Sequence, residues 1–205
     1  MKIYFLIFDK VEELDLVGSW EFIGLLSEMN LCEPPKLISL NTMQPSGEHG
    51  MRFSADLHIV DEVFPDVLIV PGGSGARLAT KDKEVLRYLR KANTECTAIL
   101  SVCTGMYLMN RAGLFKNKKA TTHWAFLDVL RKEDTIEVVE DRYIKDGNIW
   151  SSAGVSAGMD MTLAYIAEAF GEEVASKIQL NAEYFPSSKI YGSAISNEKA
   201  PKYLR

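Results

Sequence analysis

Cys103 is the residue whose type and position most invite a chemical reading. It sits in TAILSVCTGMYLMNRAG (97–113), between the short apolar run Ala98 to Val102 and a segment with helical character that stops at Gly113. A cysteine at such a strand-to-helix turn projects its sulfur above the edge of a sheet. There the N-terminus of the next helix favours thiolate over thiol. This is the logic of the serine elbow of hydrolases with sulfur in place of oxygen. The same pattern also fits a buried cysteine acting as a small hydrophobe, as many free cysteines do. Among three cysteines at irregular spacing (Cys32, Cys96, Cys103), only Cys103 lies at an elbow, so it is expected to be the most reactive.

His123 follows twenty positions later in KATTHW (119–124). Cysteine with histidine can form a nucleophile–base dyad. A histidine there can equally be a hydrogen-bonded wall residue, with the base elsewhere. His49 and His58 fall outside any such pattern and are expected at the surface.

Elements that would hold these residues can be traced in order. Lys2 to Phe8 reads as a buried strand. Val11 to Met29 reads as a helix with Glu12, Glu13 and Asp15 in its first turns, as the macrodipole favours. Strands are expected at Lys36 to Leu40 and Asp66 to Val70. A half-buried strand or hairpin arm is expected where Phe53, Ala55, Leu57 and Ile59 alternate with polar residues. Asp66 to Val70 runs straight into Pro71-Gly72-Gly73-Ser74-Gly75. Lys83 to Ala92 is a helix, Lys119 to Thr122 a strand or turn, and Ala125 to Leu130 the start of a helix. Ile136 to Asp141, Arg142 to Ile144 and Ile149 to Ser152 are strands, with a turn at 146–148. Ala153 to Phe170 and Glu172 to Asn181 are helices, and the tail from Pro186 is loop-like.

This alternation predicts a single-domain (1–205) α/β fold, a doubly wound and mostly parallel sheet with helices on both faces. Ligands in such folds bind beyond the carboxyl ends of the strands. Asp9 to Asp15, Pro71 to Gly75 and Cys103 to Gly105 all follow strands and so converge on one edge. The net charge of −5 and pI near 5.3 argue against a nucleic-acid partner. No apolar run approaches the ~20 residues of a membrane span. The N-terminal KIYFLIF, followed by Asp9 and Lys10, is a strand rather than a signal peptide. An odd cysteine count favours neither a disulfide framework nor a metal cluster, and a cytoplasmic setting is expected.

The motifs LDLVG (14–18), VPGGSG (70–75), SVCTG (101–105), AGLF (112–115), KATTHW (119–124), DGN (146–148) and SAGVSAGMDM (152–161) together resemble the DJ-1/PfpI superfamily. Within it they are most similar to the isonitrile hydratase group and to the cysteine-elbow domains of arabinose-regulator type transcription factors. The resemblance implies a flavodoxin-like domain related to class I glutamine amidotransferases, with Cys103 as nucleophile. It implies that Asp15 is the acid beside the cysteine that handles protons; Glu13 is the alternative, and a solvated first-turn carboxylate is the plain reading of Asp15. Gly72, Gly73 and Thr104 would offer backbone N–H groups to developing negative charge, and the Thr104 hydroxyl would lie near Cys103. Read without Cys103, Pro71-Gly72-Gly73 is a tight turn.

Departures from relatives narrow the expectation. PfpI-type proteases carry histidine after the cysteine, where this chain has Thr104. The late His-x-Glu pair of glutamine amidotransferases is missing, and no helix-turn-helix is read after Asn181. The expected activity is that of a cofactor-free, metal-free hydratase acting on a small-molecule substrate, isonitrile plus water to N-substituted formamide. The alternatives are a ligand or redox sensor using Cys103, or an amidase- or protease-type relative. A homodimer is expected from the family. A closed apolar pocket over Cys103 would favour a small organic substrate, and an open shallow one would favour sensing.

Overall fold

Buried apolar runs form the strands. In chain order they are β1 (Ile3–Ile7), β2 (Lys36–Ser39), β3 (Leu57–His58), β4 (Val67–Val70), β5 (Ala98–Ser101), β6 (Lys118–Ala120), β7 (Ile136–Val138), β8 (Tyr143–Asp146) and β9 (Ile149–Ser152). The helices are α1 (Glu13–Glu28), α2 (Ser74–Ala79), α3 (Lys83–Glu95), α4 (Gly105–Arg111), α5 (Leu127–Leu130), α6 (Ala157–Phe170) and α7 (Glu172–Asn181). The structure, a computed structural model, describes residues 1–186, 191–193, 200, 201 and 203. Most of the tail expected to be loop-like lies outside the described residues.

Seven strands make one sheet in the order β3-β2-β1-β4-β5-β9-β8, parallel except for the β8–β9 pair. Every residue of β1, β4, β5 and β9 is buried. Parallel strands covered on both faces require this, and it explains why these runs lack polar–apolar alternation. The helices pack in two groups, α1 with α6 and α7, and α2 and α3 with α4. From β1 the chain winds one way to β2 and the other way to β4, so a crevice opens beyond the β1 and β4 carboxyl ends.

The structure departs from the sequence expectations in four places. Burial alternates across 53–59 as expected, but only Leu57–His58 pairs as a strand. The Phe53 and Ala55 N–H groups are taken by the carbonyls of Pro45 and Met43. His58 then caps a 3-10 turn, its Nδ1 accepting from Val60 N–H at 3.2 Å while Asp61 accepts the His58 N–H at 3.0 Å. A helix, α2, follows Gly73 where only a turn was expected. The helix expected from Ala153 begins at Ala157, because 153–156 form a turn with Val155 at φ +48°. The helix expected over 125–130 divides into a 3-10 turn (Trp124–Phe126) and the four-residue α5.

Candidate active site

Asp15 lies on the first turn of α1 and is fully buried, which excludes the solvated-carboxylate reading. Gly72 N–H donates to its Oδ2 at 2.8 Å, and Oδ1 is buried with no hydrogen-bond partner. Burial pushes the carboxyl up to about 8. The Gly72 N–H and the Cys103 thiol oppose that rise, and the nearby Glu12 charge adds to it. Glu13 turns away: its Oε1 accepts N–H from His49 at 2.7 Å and from Met51 at 3.4 Å, pinning the loop opposite. Asp15, not Glu13, is the acid beside the cysteine.

Cys103 occupies the elbow between β5 and α4 at φ +56°, a conformation costing about 1–2 kcal/mol in a non-glycine residue. Neighbours hold it there. Its N–H donates to the Ala153 carbonyl at 3.2 Å, and its carbonyl accepts from the Thr122 hydroxyl at 2.8 Å. Only 6% of the residue is exposed. The expectation that the following helix favours the thiolate meets a larger opposing effect. Burial, then the Asp15 charge, push the thiol up to about 12, against the N–H groups of Val155 and Thr104. α4 has only seven residues, too short a dipole to offset that desolvation. Burial thus favours the protonated form of both groups, and a thiolate forms most readily while Asp15 is neutral.

Gly72 and Gly73 do not present free N–H groups. Gly72 N–H is on Asp15, and Gly73 N–H is on Thr104 Oγ1 at 3.0 Å. A Cβ on Gly72 would stand 2.6 Å from Thr104 N and 2.8 Å from Asp15 Oδ2. The glycine permits this close approach, and the turn clamps acid and elbow together. The N–H groups directed at the sulfur are those of Thr104 and Val155. The Thr104 hydroxyl bonds the Gly73 carbonyl at 3.3 Å and is also within reach of the sulfur.

His123 lines the cavity over Cys103. Its Nδ1 accepts Ala125 N–H at 3.2 Å, and its ring lies so close to Gly154 that a Cβ there would stand 2.1 Å from Cδ2. Burial lowers its pKa. Among the described residues no hydrogen bond joins it to Cys103. The geometry therefore gives the wall reading more support than the dyad.

The cavity holds about 180 Å³. Beyond Cys103 and His123 its wall carries Glu12, Glu48, Arg77 and Phe126. Its lining mixes polar and apolar groups and it opens to solvent, so it is not the closed apolar pocket weighed above. Glu48 accepts from Ser74 N–H at 3.0 Å and Ser74 Oγ at 2.6 Å, which holds its carboxyl below the usual range. Arg77 lies 4.9 Å from the Phe126 ring centre. Glu12, Glu13 and His49 have donor atoms within 4.8 Å of one another; an acidic cluster of this kind does not by itself make a metal centre.

Sequence reasoning missed Glu12, Arg77, Phe126, Thr122 and Val155 as site residues. Thr122 and Val155 lay inside quoted motifs; Arg77 and Phe126 had no local signal.

The order of motifs agrees with comparison to known proteins. The DJ-1/PfpI family model matches residues 1–168. The chain belongs to the DJ-1/PfpI family. It is 32% identical over 187 residues to isonitrile hydratase of Pseudomonas putida, covering 91% of this chain and 80% of that protein. It is 27% identical over 159 residues to deglycase PfpI of Pyrococcus furiosus, covering 75% of this chain and 89% of that one. The regulator GbdR of Pseudomonas aeruginosa matches at 25% identity over 85% of this chain, which spans 48% of the regulator's length. Among solved structures, a ThiJ/PfpI family protein from Pseudomonas syringae superposes with TM-score 0.86 at 28% identity over 95% of this chain and 79% of that one. Drosophila melanogaster DJ-1beta shares the fold, with TM-score 0.79 at 17% identity over 89% of this chain and 98% of that one. Membership of the DJ-1/PfpI family fits the described residues, none of whose helices is long and apolar enough to cross a membrane.

Proposed function

We propose that this DJ-1/PfpI protein is a cysteine-dependent hydratase that adds water to an isonitrile to give an N-substituted formamide. The observation that carries the reading is a fully buried Asp15 beside Cys103, pushed up to about 8. Burial favours the protonated carboxyl, which can deliver a proton to a carbon as sulfur attacks it. The similarity to isonitrile hydratase over 91% of the chain supports the same reading.

In the first half-reaction Cys103 Sγ bonds the terminal carbon of R–N≡C. Asp15 gives that carbon a proton and recovers the one from the thiol, leaving R–N=CH–S–Cys103. Water then adds to this carbon, the C–S bond breaks, the thiol is restored and R–NH–CHO leaves. Thr104 and Val155 N–H groups steady the sulfur as it gains and loses charge.

The solvent-open cavity favours a second reading, oxidation or covalent capture at Cys103 as a sensor. Against it stands the burial of Cys103, 6% exposed, since oxidation follows access as well as thiolate character. Formamide production from an alkyl isonitrile separates the two. Wild type should turn over, while Cys103→Ser and Asp15→Asn should each lose at least ~10²-fold. No turnover by wild type across a broad isonitrile panel would remove the hydratase reading.

A further inference from the structure

The hydrolytic half-reaction needs a group that Asp15 cannot supply. Asp15 is fully buried, accepts from Gly72 N–H and is not among the residues that line the cavity. The water must arrive through the cavity, and something on that wall must take its proton.

The candidates there are few. Glu48 is committed to two donors from Ser74. His123 uses Nδ1 to accept from Ala125, which leaves Nε2 as its N–H and makes it a donor. Arg77 carries a guanidinium, which donates hydrogen bonds and accepts none. Glu12 is different. It is the N-cap residue of α1, where an acid commonly accepts from the first-turn N–H groups, yet its side chain makes no capping hydrogen bond. Its backbone N–H is fixed to the Gly72 carbonyl at 2.9 Å, and Glu12 lines the cavity it shares with Cys103. Its carboxylate is met by the exposed His49 imidazole, Nε2 lying 3.6 Å away. The side chain is 22% exposed, wet enough to meet water and dry enough that burial raises its pKa toward a useful base.

We propose that Glu12 is the general base of the second half-reaction, accepting a proton from the water that attacks the Cys103-bound carbon. The proposal rests on the hydratase reading above. As the water oxygen bonds the carbon of R–N=CH–S–Cys103, its proton passes to the Glu12 carboxylate and on to the substrate nitrogen. This gives R–NH–CH(OH)–S–Cys103. The C–S bond then breaks with its electron pair going to sulfur, and the hydroxyl proton returns to the thiolate. Glu12 is thus regenerated, and no oxidant or reductant is required.

The two carboxylates then differ in which half they serve, and this is measurable. Wild type, Glu12→Gln and Asp15→Asn are mixed with cyclohexyl isonitrile. Intact-protein mass spectrometry follows the adduct while formamide release is timed. Glu12→Gln is expected to accumulate the isonitrile adduct on Cys103 and to release formamide at least ~10²-fold more slowly; Asp15→Asn is expected to form little adduct. Glu12→Asp, which restores a carboxylate, should recover part of the release rate. Wild-type release by Glu12→Gln would overturn the role of Glu12 and leave the hydratase standing. Glu12→Gln that forms neither adduct nor formamide would also overturn it, because the first half would then be what failed. Wild type that forms neither adduct nor formamide would overturn the hydratase reading and Glu12 with it.

Discussion

Replacing Asp15 by Asn should stabilise the protein at neutral pH while disabling it. In the unfolded chain the carboxyl ionises near its ordinary value of 3.8, but in the folded protein burial holds it neutral up to about 8. Between those values the folded state keeps a proton that the unfolded state has released. Stability from this group is therefore complete below 3.8 and is lost as pH rises to about 8. The slope is about 1.4 kcal/mol per pH unit, so roughly three units of separation at pH 7 amount to about 4 kcal/mol. Asn is neutral in both states and escapes that cost. It does bring an extra N–H donor into a buried site, at roughly 1–3 kcal/mol, which leaves a net gain of about 1–3 kcal/mol at pH 7. Urea unfolding of both proteins at pH 5, 6, 7 and 8 measures it. The advantage of Asp15→Asn should be near zero at pH 5 and widen steadily to pH 8. A difference that does not change with pH, or a wild type that gains stability across this range, would show that Asp15 is ionised in the fold and would refute the proton-donor argument.

Two further predictions follow from the packing and from the family. Gly72→Ala places a Cβ 2.6 Å from backbone Thr104 N and 2.8 Å from Asp15 Oδ2, so thermal or urea unfolding should show a loss of about 1–3 kcal/mol; an unchanged midpoint would mean the clamp is not tight. Two copies are expected to associate, so sedimentation across micromolar concentrations should give a species of twice the 22.9 kDa chain mass, and a monomer throughout would refute the dimer.

Much of the fold could be read from local residues because parallel strands buried on both faces leave continuous apolar runs, as in Ile3–Ile7 and Val67–Val70. The glycines after Val70 and the cysteine after β5 marked sharp turns whose order along the chain sufficed to bring them to one edge. Hydrogen-bond competition was not legible. The 53–59 segment has strand periodicity, yet its N–H groups go to a neighbouring loop, a choice made by where 43–45 lies in space.

The site divides along the same line. The sequence by itself put forward the groups that the fold brings together: Cys103 at an elbow and, through the family resemblance, an acid at the start of α1 and a glycine turn. Only the tertiary structure decided what state those groups are in. Whether Cys103 rests as thiol or thiolate depends on the water removed around it, and here burial outweighs a seven-residue helix. Whether Gly72 and Gly73 serve a substrate or the scaffold depends on partners distant in sequence, and Asp15 and Thr104 claim both N–H groups. Glu12 and Asp15 are three residues apart on one chain and look alike as residue types. One is fully buried and the other lines the cavity, because desolvation and access are set by everything packed around a side chain and by none of its sequence neighbours alone.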